Sequence, residues 1–130
     1  MYENSNIKII GLCETWLDDS NKDLYKINGY NSVHVNRNNN RGGGVSLFIR
    51  SNISYTLRSD LSAKFVQAES VVIEIELNNK HVIIGEIYRP PHTNIPSFIE
   101  NLNDILSAVD IDNLECYLMG DMNIDCMKCT

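Results

Sequence analysis

Two acids and an amide lie close together near the end of the chain, within residues 120–125. They directly follow a short apolar run, residues 116–119, whose composition predicts a buried strand. The glycine at the start of the segment permits a turn, so the side chains of Asp121, Asn123 and Asp125 are expected to leave the core together. A carboxylate and a carboxamide two residues apart can hold a metal ion, a water molecule or a phosphate oxygen. A plain turn is the alternative, because Asp, Asn and Gly are the commonest turn residues.

Two further polar groups follow predicted strands. Glu14 comes directly after the apolar run of residues 7–13, which predicts a strand buried on both faces. Tyr88 is the last residue of another strand-like run, which two prolines end because neither can donate to a strand ladder. Ligands of open α/β sheets bind beyond the carboxyl ends of strands. If the strands are neighbours, we therefore expect Glu14 and Tyr88 to converge with the acid–amide pair on one rim. Local roles in capping and packing are the alternative.

The composition is that of an ordinary globular domain. The chain has 130 residues, at most one domain, with 43% hydrophobic and 22% charged residues. Its net charge of −6 argues against binding nucleic acid through a basic surface alone, although a divalent metal can supply local positive charge where carboxylates cluster. No apolar run is long enough to span a membrane, and the polar start does not resemble a signal peptide.

A polar, glycine-rich connection occupies residues 36–44. It lacks the Lys-Ser/Thr ending of a phosphate-binding P-loop, so a hairpin loop is the preferred interpretation. Arg37 and Arg41 in this connection, and Arg89 after the Tyr88 strand, are weak candidates for contact with a phosphate backbone. Solvated side chains are the alternative for Arg37 and Arg41.

The four cysteines give little support to a metal or redox centre. Cys13 and Cys116 lie in the predicted strands and look like buried thiols, which suits a reducing compartment. Cys126 and Cys129 have the spacing of a metal-binding or redox pair, but no second pair accompanies them. A zinc or redox role is therefore the minor alternative.

The hydrophobic pattern predicts an α/β domain. Residues 70–77 alternate in polarity, and Asn78-Asn79 offers a tight turn into residues 80–88, which together predict a hairpin. Asn94 is a fair helix cap, and an apolar stripe at helical spacing follows it. That stripe consists of Phe98, Leu102, Ile105, Leu106 and Val109. Weaker strand signals lie at residues 31–36, 45–50 and 53–57.

The order and spacing of these features resemble the endonuclease/exonuclease/phosphatase superfamily. More narrowly, they are similar to the apurinic-type endonuclease domain of a non-LTR retrotransposon polyprotein. The resemblance rests on Glu14-Thr15-Trp16-Leu17, Gly42-Gly43-Gly44-Val45, Ile87-Tyr88-Arg89-Pro90-Pro91 and Gly120-Asp121-Met122-Asn123. It covers nearly the whole chain and implies an α/β fold, an incomplete four-layer α/β sandwich resembling deoxyribonuclease I. Residues 1–130 would then be one partial domain.

The resemblance also implies a role for each site residue and an activity. Glu14 matches the metal-binding glutamate, and Tyr88 matches the tyrosine that contacts the scissile phosphate. Asp121 matches the aspartate that positions or activates the attacking water, and Asn123 the asparagine that hydrogen-bonds phosphate or water. The implied cofactor is Mg²⁺ or Mn²⁺, which hard carboxylate oxygens suit, while neutral donors can stabilise the transition state without repelling the metal.

In retrotransposons of this kind, a nick in target DNA supplies the 3′-hydroxyl that primes reverse transcription. The resemblance therefore implies DNA and the reverse transcriptase region of the same polyprotein as partners. It also implies an intracellular location, nuclear when the protein acts on DNA. No membrane partner is expected, because no apolar run is long enough to span a membrane.

The chain also departs from the family pattern, which begins with an Asn-bearing strand and ends with a Ser-Asp-His motif. Neither is present in the 130 residues, and His34, His81 and His92 do not stand in that motif's context. We therefore expect little or no activity from these residues alone.

Two alternatives stay open. A domesticated or relic domain acting as a non-catalytic binding or interaction protein fits the acidic charge and the missing motif. Within the enzyme class, another phosphodiesterase or a phosphatase of the superfamily shares the same site chemistry. A purely structural α/β domain is least favoured, because turns alone do not explain four motifs in one order.

Overall fold

The structure is a computed structural model that describes residues 7–16, 25–35 and 43–125. Within these ranges the chain forms seven strands and two helices. They are β1 (Ile9–Cys13), β2 (Tyr30–Val35), β3 (Val45–Arg50), β4 (Tyr55–Leu57), α1 (Ser59–Ser62), β5 (Glu69–Leu77), β6 (Lys80–Tyr88), α2 (Ile95–Ile111) and β7 (Glu115–Asp121). Arg37, Arg41, Cys126 and Cys129 lie outside the described residues, as do Leu17 and Gly42.

The described strands form two sheets that stack face to face. One sheet has the order β1-β3-β2 and is antiparallel, and the other has the order β4-β5-β6-β7. In the second sheet only the β6–β7 pair is parallel, because α2 carries the chain back between these two strands. β1 lies against β6 and β7, and β3 lies against β5 and β6. The predicted α/β fold, with two sheets and few helices, is confirmed.

Two apolar clusters hold these layers together. The first fills the space between the sheets and consists of Val45, Leu47, Ile49, Val71, Ile73, Ile75, Val82, Ile84 and Tyr88. The second lies between the larger sheet and the helices, and consists of Leu61, Phe65, Val72, Ile83, Ile87, Phe98, Ile105 and Val109. Alternate residues of β5 and β6 therefore serve different cores, since successive strand side chains point to opposite faces.

The predicted hairpin and helix both form. β5 and β6 pair over their full lengths, and Asn78 and Asn79 form the turn with φ of 51° and 64°, the left-handed values that such turns require. Asn94 caps α2 by accepting a hydrogen bond from the Ser97 amide at 2.9 Å. Leu106 was expected on the apolar stripe but is exposed, so the buried side of the helix is narrower than the pattern predicted.

Two strands predicted to be buried lie at sheet edges. The prediction for residues 7–13 was wrong in this respect, because β1 pairs only with β3 among the described strands and Leu12 is exposed. Likewise β7 pairs only with β6 in the described part of the chain, and Tyr117 on it is 55% exposed. An edge strand lacks one neighbour, so apolar residues on it are only partly covered.

The short helix α1 was not predicted, because four residues carry too little periodicity to be recognised. Among the described residues, no helix combines the length and apolarity needed to cross a membrane.

Candidate active site

A hydrogen bond between Tyr88 and Glu14 joins the two sheets at the candidate site. The Tyr88 hydroxyl, at the end of β6, donates a hydrogen bond to Glu14 Oε1 at 3.1 Å. Glu14 follows β1 directly and has a left-handed φ of 52°, a costly conformation for a non-glycine residue. The Tyr88 ring is buried while the Glu14 side chain is exposed. The two residues therefore meet across the sandwich, and not along the rim of a single sheet as the sequence suggested.

The second part of the site is the end of β7. Asp121 is the register partner of Tyr88 in the parallel β6–β7 pair, so the two residues lie side by side at the same edge. The Asp121 side chain is exposed, and its Oδ1 accepts a hydrogen bond from the Asn123 backbone amide at 3.0 Å. This contact is an Asx-turn, which holds the carboxylate in one orientation.

Gly120 allows β7 to end in this way. Its φ is 136°, and a Cβ atom built at this position would overlap the carbonyl oxygen of Ile87 on the neighbouring strand. Only glycine permits both the backbone angle and the close approach. The glycine predicted to permit a turn is thus required by the neighbouring strand as well.

Asn123 is anchored by its own side chain. Its φ is 48°, and its Nδ2 donates to the Arg89 carbonyl oxygen at 2.8 Å. Asn123 thereby lies beside both Asp121 and Arg89, and Arg89 directly follows Tyr88. The residues around it, 120–125, line an open depression of about 640 Å³. The structure thus brings together the four residues that the sequence singled out as metal-binding or catalytic.

Arg89 occupies a different position from the one expected of a substrate contact. It is 1% exposed, and its guanidinium donates to carbonyl oxygens of the chain itself. A side chain so enclosed cannot meet a phosphate backbone, so this geometry gives Arg89 an internal role. Arg37 and Arg41, the other candidate contacts, lie outside the described residues.

The glycine motif packs against the segment that bears Glu14. The Trp16 amide donates to the Gly43 carbonyl at 3.1 Å, and the Gly44 amide donates to the Glu69 carboxylate. Gly44 has a φ of 87°, and a Cβ atom there would lie 2.8 Å from the buried Thr15 hydroxyl. Glycine is therefore needed at position 44, because two backbone segments approach closely beside the site.

Sequence reasoning missed a buried acid directly behind the site. Glu86 is 3% exposed and lies between the sheets, where its Oε1 accepts a hydrogen bond from the Cys13 thiol at 3.0 Å. Its Oε2 has no hydrogen-bond partner among the described residues, and burial raises the pKa of the carboxyl. Burial, followed by the hydrogen bond with Glu86, raises the pKa of the Cys13 thiol to about 12. The alternation of side chains along β6 could have revealed this burial, because it puts Glu86 on the inward face with Ile84 and Tyr88.

The donors at this edge suit a hard divalent cation. Glu14 and Asp121 offer exposed carboxylates, and Mg²⁺ is commonly held by one or two protein carboxylates with water and substrate phosphate completing its shell. Within residues 7–16, 25–35 and 43–125, no three His, Cys, Asp or Glu side chains are grouped closely enough to hold a metal ion by themselves. The Glu14 and Asp121 carboxylates therefore fit a metal ion whose remaining ligands are water and phosphate oxygens.

Comparison with a solved structure supports the fold. The chain is similar to the catalytic domain of human Nocturnin, solved with a bound sulfate anion, with a TM-score of 0.56 and 16% sequence identity. The match covers 91% of this chain and 52% of the Nocturnin chain, so this chain spans about half the length of that structure. At this identity the likeness establishes the fold alone. No curated protein sequence matches this chain.

Comparison with family models identifies the family. The model of the Endonuclease/Exonuclease/phosphatase family matches residues 4–128, which is nearly the whole chain. Members of this family hydrolyse phosphate esters as nucleases or phosphatases and generally use divalent metal ions. The match includes every residue of the site described above, and the fold agrees with it. The chain belongs to the Endonuclease/Exonuclease/phosphatase family.

Proposed function

We propose that this chain supplies part of the active site of a metal-dependent DNA endonuclease encoded by a non-LTR retrotransposon. In this proposal the enzyme nicks target DNA and leaves a 3′-hydroxyl that primes reverse transcription. The observation that supports it most directly is the contact between Tyr88 and Glu14 beside the Asp121–Asn123 turn. This arrangement puts two carboxylates and a neutral donor at one edge of the sandwich, and we propose that the Glu14 carboxylate binds the metal.

Each residue has a task in phosphodiester hydrolysis. Mg²⁺ or Mn²⁺, when bound, neutralises charge on the scissile phosphate, and Glu14 is the residue that would hold it. Tyr88 can turn its hydroxyl from Glu14 to a phosphate oxygen and donate a hydrogen bond as negative charge develops there. Because Asn123 engages Asp121 through Oδ1, Oδ2 is the atom we assign to the attacking water.

The proton balance follows from this assignment. Asp121 takes a proton from the water as its oxygen attacks phosphorus, which is general base catalysis. The bond between phosphorus and the 3′-oxygen breaks, and that oxygen takes a proton from solvent. Asn123 keeps Asp121 in one orientation throughout, since its backbone amide donates to Oδ1.

DNA is the proposed substrate, the reverse transcriptase region of the same polyprotein is the proposed partner, and the enzyme would act in the nucleus. The net charge of −6 means that the acidic surface does not attract DNA, so binding has to rely on the metal and on local contacts at the site. Nicking should therefore weaken strongly when the divalent metal is removed.

Plasmid nicking tests the proposal. We would express the complete open reading frame of the source transcript and follow the relaxation of supercoiled plasmid in Mg²⁺. We expect nicking that chelation abolishes and that Asp121→Asn reduces about 10²- to 10⁴-fold, because the general base is lost. Asp104→Asn is the matched control, since it alters an exposed acid on α2. Equal activity in Asp121→Asn and wild-type protein would refute the proposal.

Two other functions are each favoured by an observation. The breadth of the family favours another phosphodiesterase or a phosphatase, which a panel of RNA, phosphorylated inositol and nucleotide substrates would detect. The net charge of −6 favours a non-catalytic binding or interaction protein, because an acidic surface does not attract DNA. Such a protein would be stable and monodisperse, and Mg²⁺ would change neither its melting temperature nor its partners.

A further inference from the structure

Arg89 is a buried cation without a carboxylate partner among the described residues. It follows Tyr88 directly, and every acceptor that its guanidinium meets is a backbone carbonyl or a hydroxyl. A charge removed from water is costly unless its donors are fully paired, so a side chain in this position needs a compensating reason. We infer that Arg89 is a positioning residue that holds the Asp121–Asn123 segment against the end of β6. Its consequence for hydrolysis rests on the function proposed above.

One side of Arg89 is bonded to the segment that follows β7. Its Nε donates to the Met122 carbonyl at 2.7 Å, and its Nη2 donates to the Asn123 carbonyl at 2.6 Å. The backbone of Arg89 adds two bonds, since its amide donates to the Asp121 carbonyl at 3.0 Å and its carbonyl accepts from Asn123 Nδ2 at 2.8 Å. One residue therefore contacts three consecutive residues of the segment.

The other side of Arg89 is bonded to the turn that leads into α2. Its Nη1 donates to the Thr93 carbonyl at 2.7 Å and to the Thr93 hydroxyl at 2.8 Å. That hydroxyl donates in turn to the Pro90 carbonyl at 2.9 Å, and the Thr93 amide donates to the same carbonyl at 3.2 Å. Asn94, the cap of α2, is the next residue. The guanidinium thus ties the Asp121–Asn123 segment to a turn held by its own hydrogen bonds.

This network holds the segment in one conformation. Asn123 has a left-handed φ of 48°, which asparagine adopts more readily than most residues, and its bonds with Arg89 keep it there. Arginine suits the task because its planar fork donates in several fixed directions at once. Lysine concentrates its three donors on one nitrogen atom and cannot reproduce that geometry.

The position of Arg89 links the two halves of the candidate site. Tyr88 and Asp121 are register partners, and Arg89 directly follows Tyr88. Because Arg89 bonds to residues 121–123, it helps to set the distances from the tyrosine hydroxyl to the Asp121 carboxylate and to the Asn123 side chain. The Arg89 side chain is enclosed and is not among the residues that line the depression. It acts through the residues that it holds, and its loss should slow the chemical step more than it weakens substrate binding.

Amide hydrogen exchange tests the inference without any need for activity. We would compare Arg89→Lys and Arg89→Gln with wild-type protein over residues 120–124. Arg58→Lys is the matched control, because Arg58 bonds Asp60 and Glu74 away from the site. We expect exchange in this segment to accelerate about tenfold or more in both Arg89 variants and to stay unchanged in the control. Thr93→Val removes one acceptor of the Arg89 guanidinium and should accelerate exchange over residues 120–124 by a smaller factor. This variant replaces Arg89→Gln in the comparison if Arg89→Gln does not fold.

Kinetics of nicking by the complete open reading frame product supply the second readout. We expect Arg89→Lys to lower kcat about 10- to 100-fold with KM little changed, because the reacting groups are displaced while binding groups remain. Unchanged exchange over residues 120–124 in both Arg89 variants would overturn the inference. Faster exchange in the Arg89 variants without any fall in their kcat would also overturn the inference, provided that the wild-type enzyme nicks DNA. A wild-type protein without nicking activity would refute the proposed function, and exchange would still decide whether Arg89 holds the segment.

Discussion

The Cys13 thiol donates a hydrogen bond to Glu86 Oε1 across the space between the two sheets, at an Sγ–Oε1 distance of 3.0 Å. Gly11 makes room for this pair, because a Cβ atom at that position would overlap the Glu86 carboxyl. The contact joins β1 to β6 immediately before Glu14 on the first strand and two residues before Tyr88 on the second. A buried acid therefore lies between the two strands whose ends bear Glu14 and Tyr88.

Glu86 should make stability depend on pH. Below the ordinary glutamate pKa the side chain is protonated in both the folded and the unfolded chain, so burial adds no charge penalty. As pH rises, the unfolded chain loses the proton first because burial raises the folded-state pKa, and folding is then progressively destabilised. We expect Glu86→Gln to raise the free energy of unfolding at pH 7 by about 1 kcal/mol or more, and to matter little at pH 4. Urea denaturation at both pH values measures this.

A matched control for that experiment is Glu76→Gln, which alters an exposed acid on the neighbouring strand β5. It should change stability little at either pH, because water already solvates the carboxylate. A Glu86→Gln variant that is less stable than wild type at pH 7 would show that the ionised carboxylate is favourable in the folded chain, contrary to the expected effect of its burial.

Cys13 should be a slow nucleophile in the folded protein. Its pKa is raised to about 12, mainly by burial and then by the hydrogen bond with Glu86, so little thiolate is present at pH 8. We expect alkylation of Cys13 by iodoacetamide to be at least about tenfold slower in native buffer than in urea. Mass spectrometry of the peptide that contains Cys13 separates it from the other cysteines. Equal rates in the two solvents would contradict the partial burial of the thiol and its hydrogen bond with Glu86.

Local sequence patterns predicted the elements whose contacts are themselves local. The β5–β6 hairpin follows from alternation and a two-asparagine turn, and α2 follows from the Asn94 cap and its apolar spacing. The ends of strands could also be found, which is why Glu14 and Tyr88 were recognised as candidate site residues. These features depend on residues within a few positions of one another.

Long-range pairing and burial could not be predicted in the same way. The sequence does not show that β1 belongs to a different sheet from β6, since that depends on which strand each one pairs with. For the same reason β1 and β7 were expected to be buried, although they form edges among the described strands. Arg89 looked like a surface contact because no local pattern reveals that carbonyl oxygens surround it.

Gly120→Ala should lower the free energy of unfolding more than the same substitution at Gly29. The new Cβ would overlap the Ile87 carbonyl oxygen, and φ at this position is 136°. Gly29→Ala is the control, because Gly29 also has a positive φ, of 87°, but a Cβ there meets nothing within 4 Å. We expect about 1 kcal/mol for Gly29→Ala from backbone strain and about 2–4 kcal/mol for Gly120→Ala. Similar losses in urea denaturation would mean that β6 and β7 can shift apart at no cost.

The Tyr88 hydroxyl should matter to catalysis far more than to folding. Tyr88→Phe keeps the buried ring and removes only the donor that contacts Glu14 at 3.1 Å. We expect the rate of plasmid nicking by the complete open reading frame product to fall about 10²-fold, because a donor to the developing phosphate charge is lost. The control is Tyr30→Phe, which removes a hydroxyl that donates to the Ile7 carbonyl at 2.6 Å, at the start of β2 and away from the site. If both variants lose activity equally, the loss reflects stability, and Tyr88 has no special role at the phosphate.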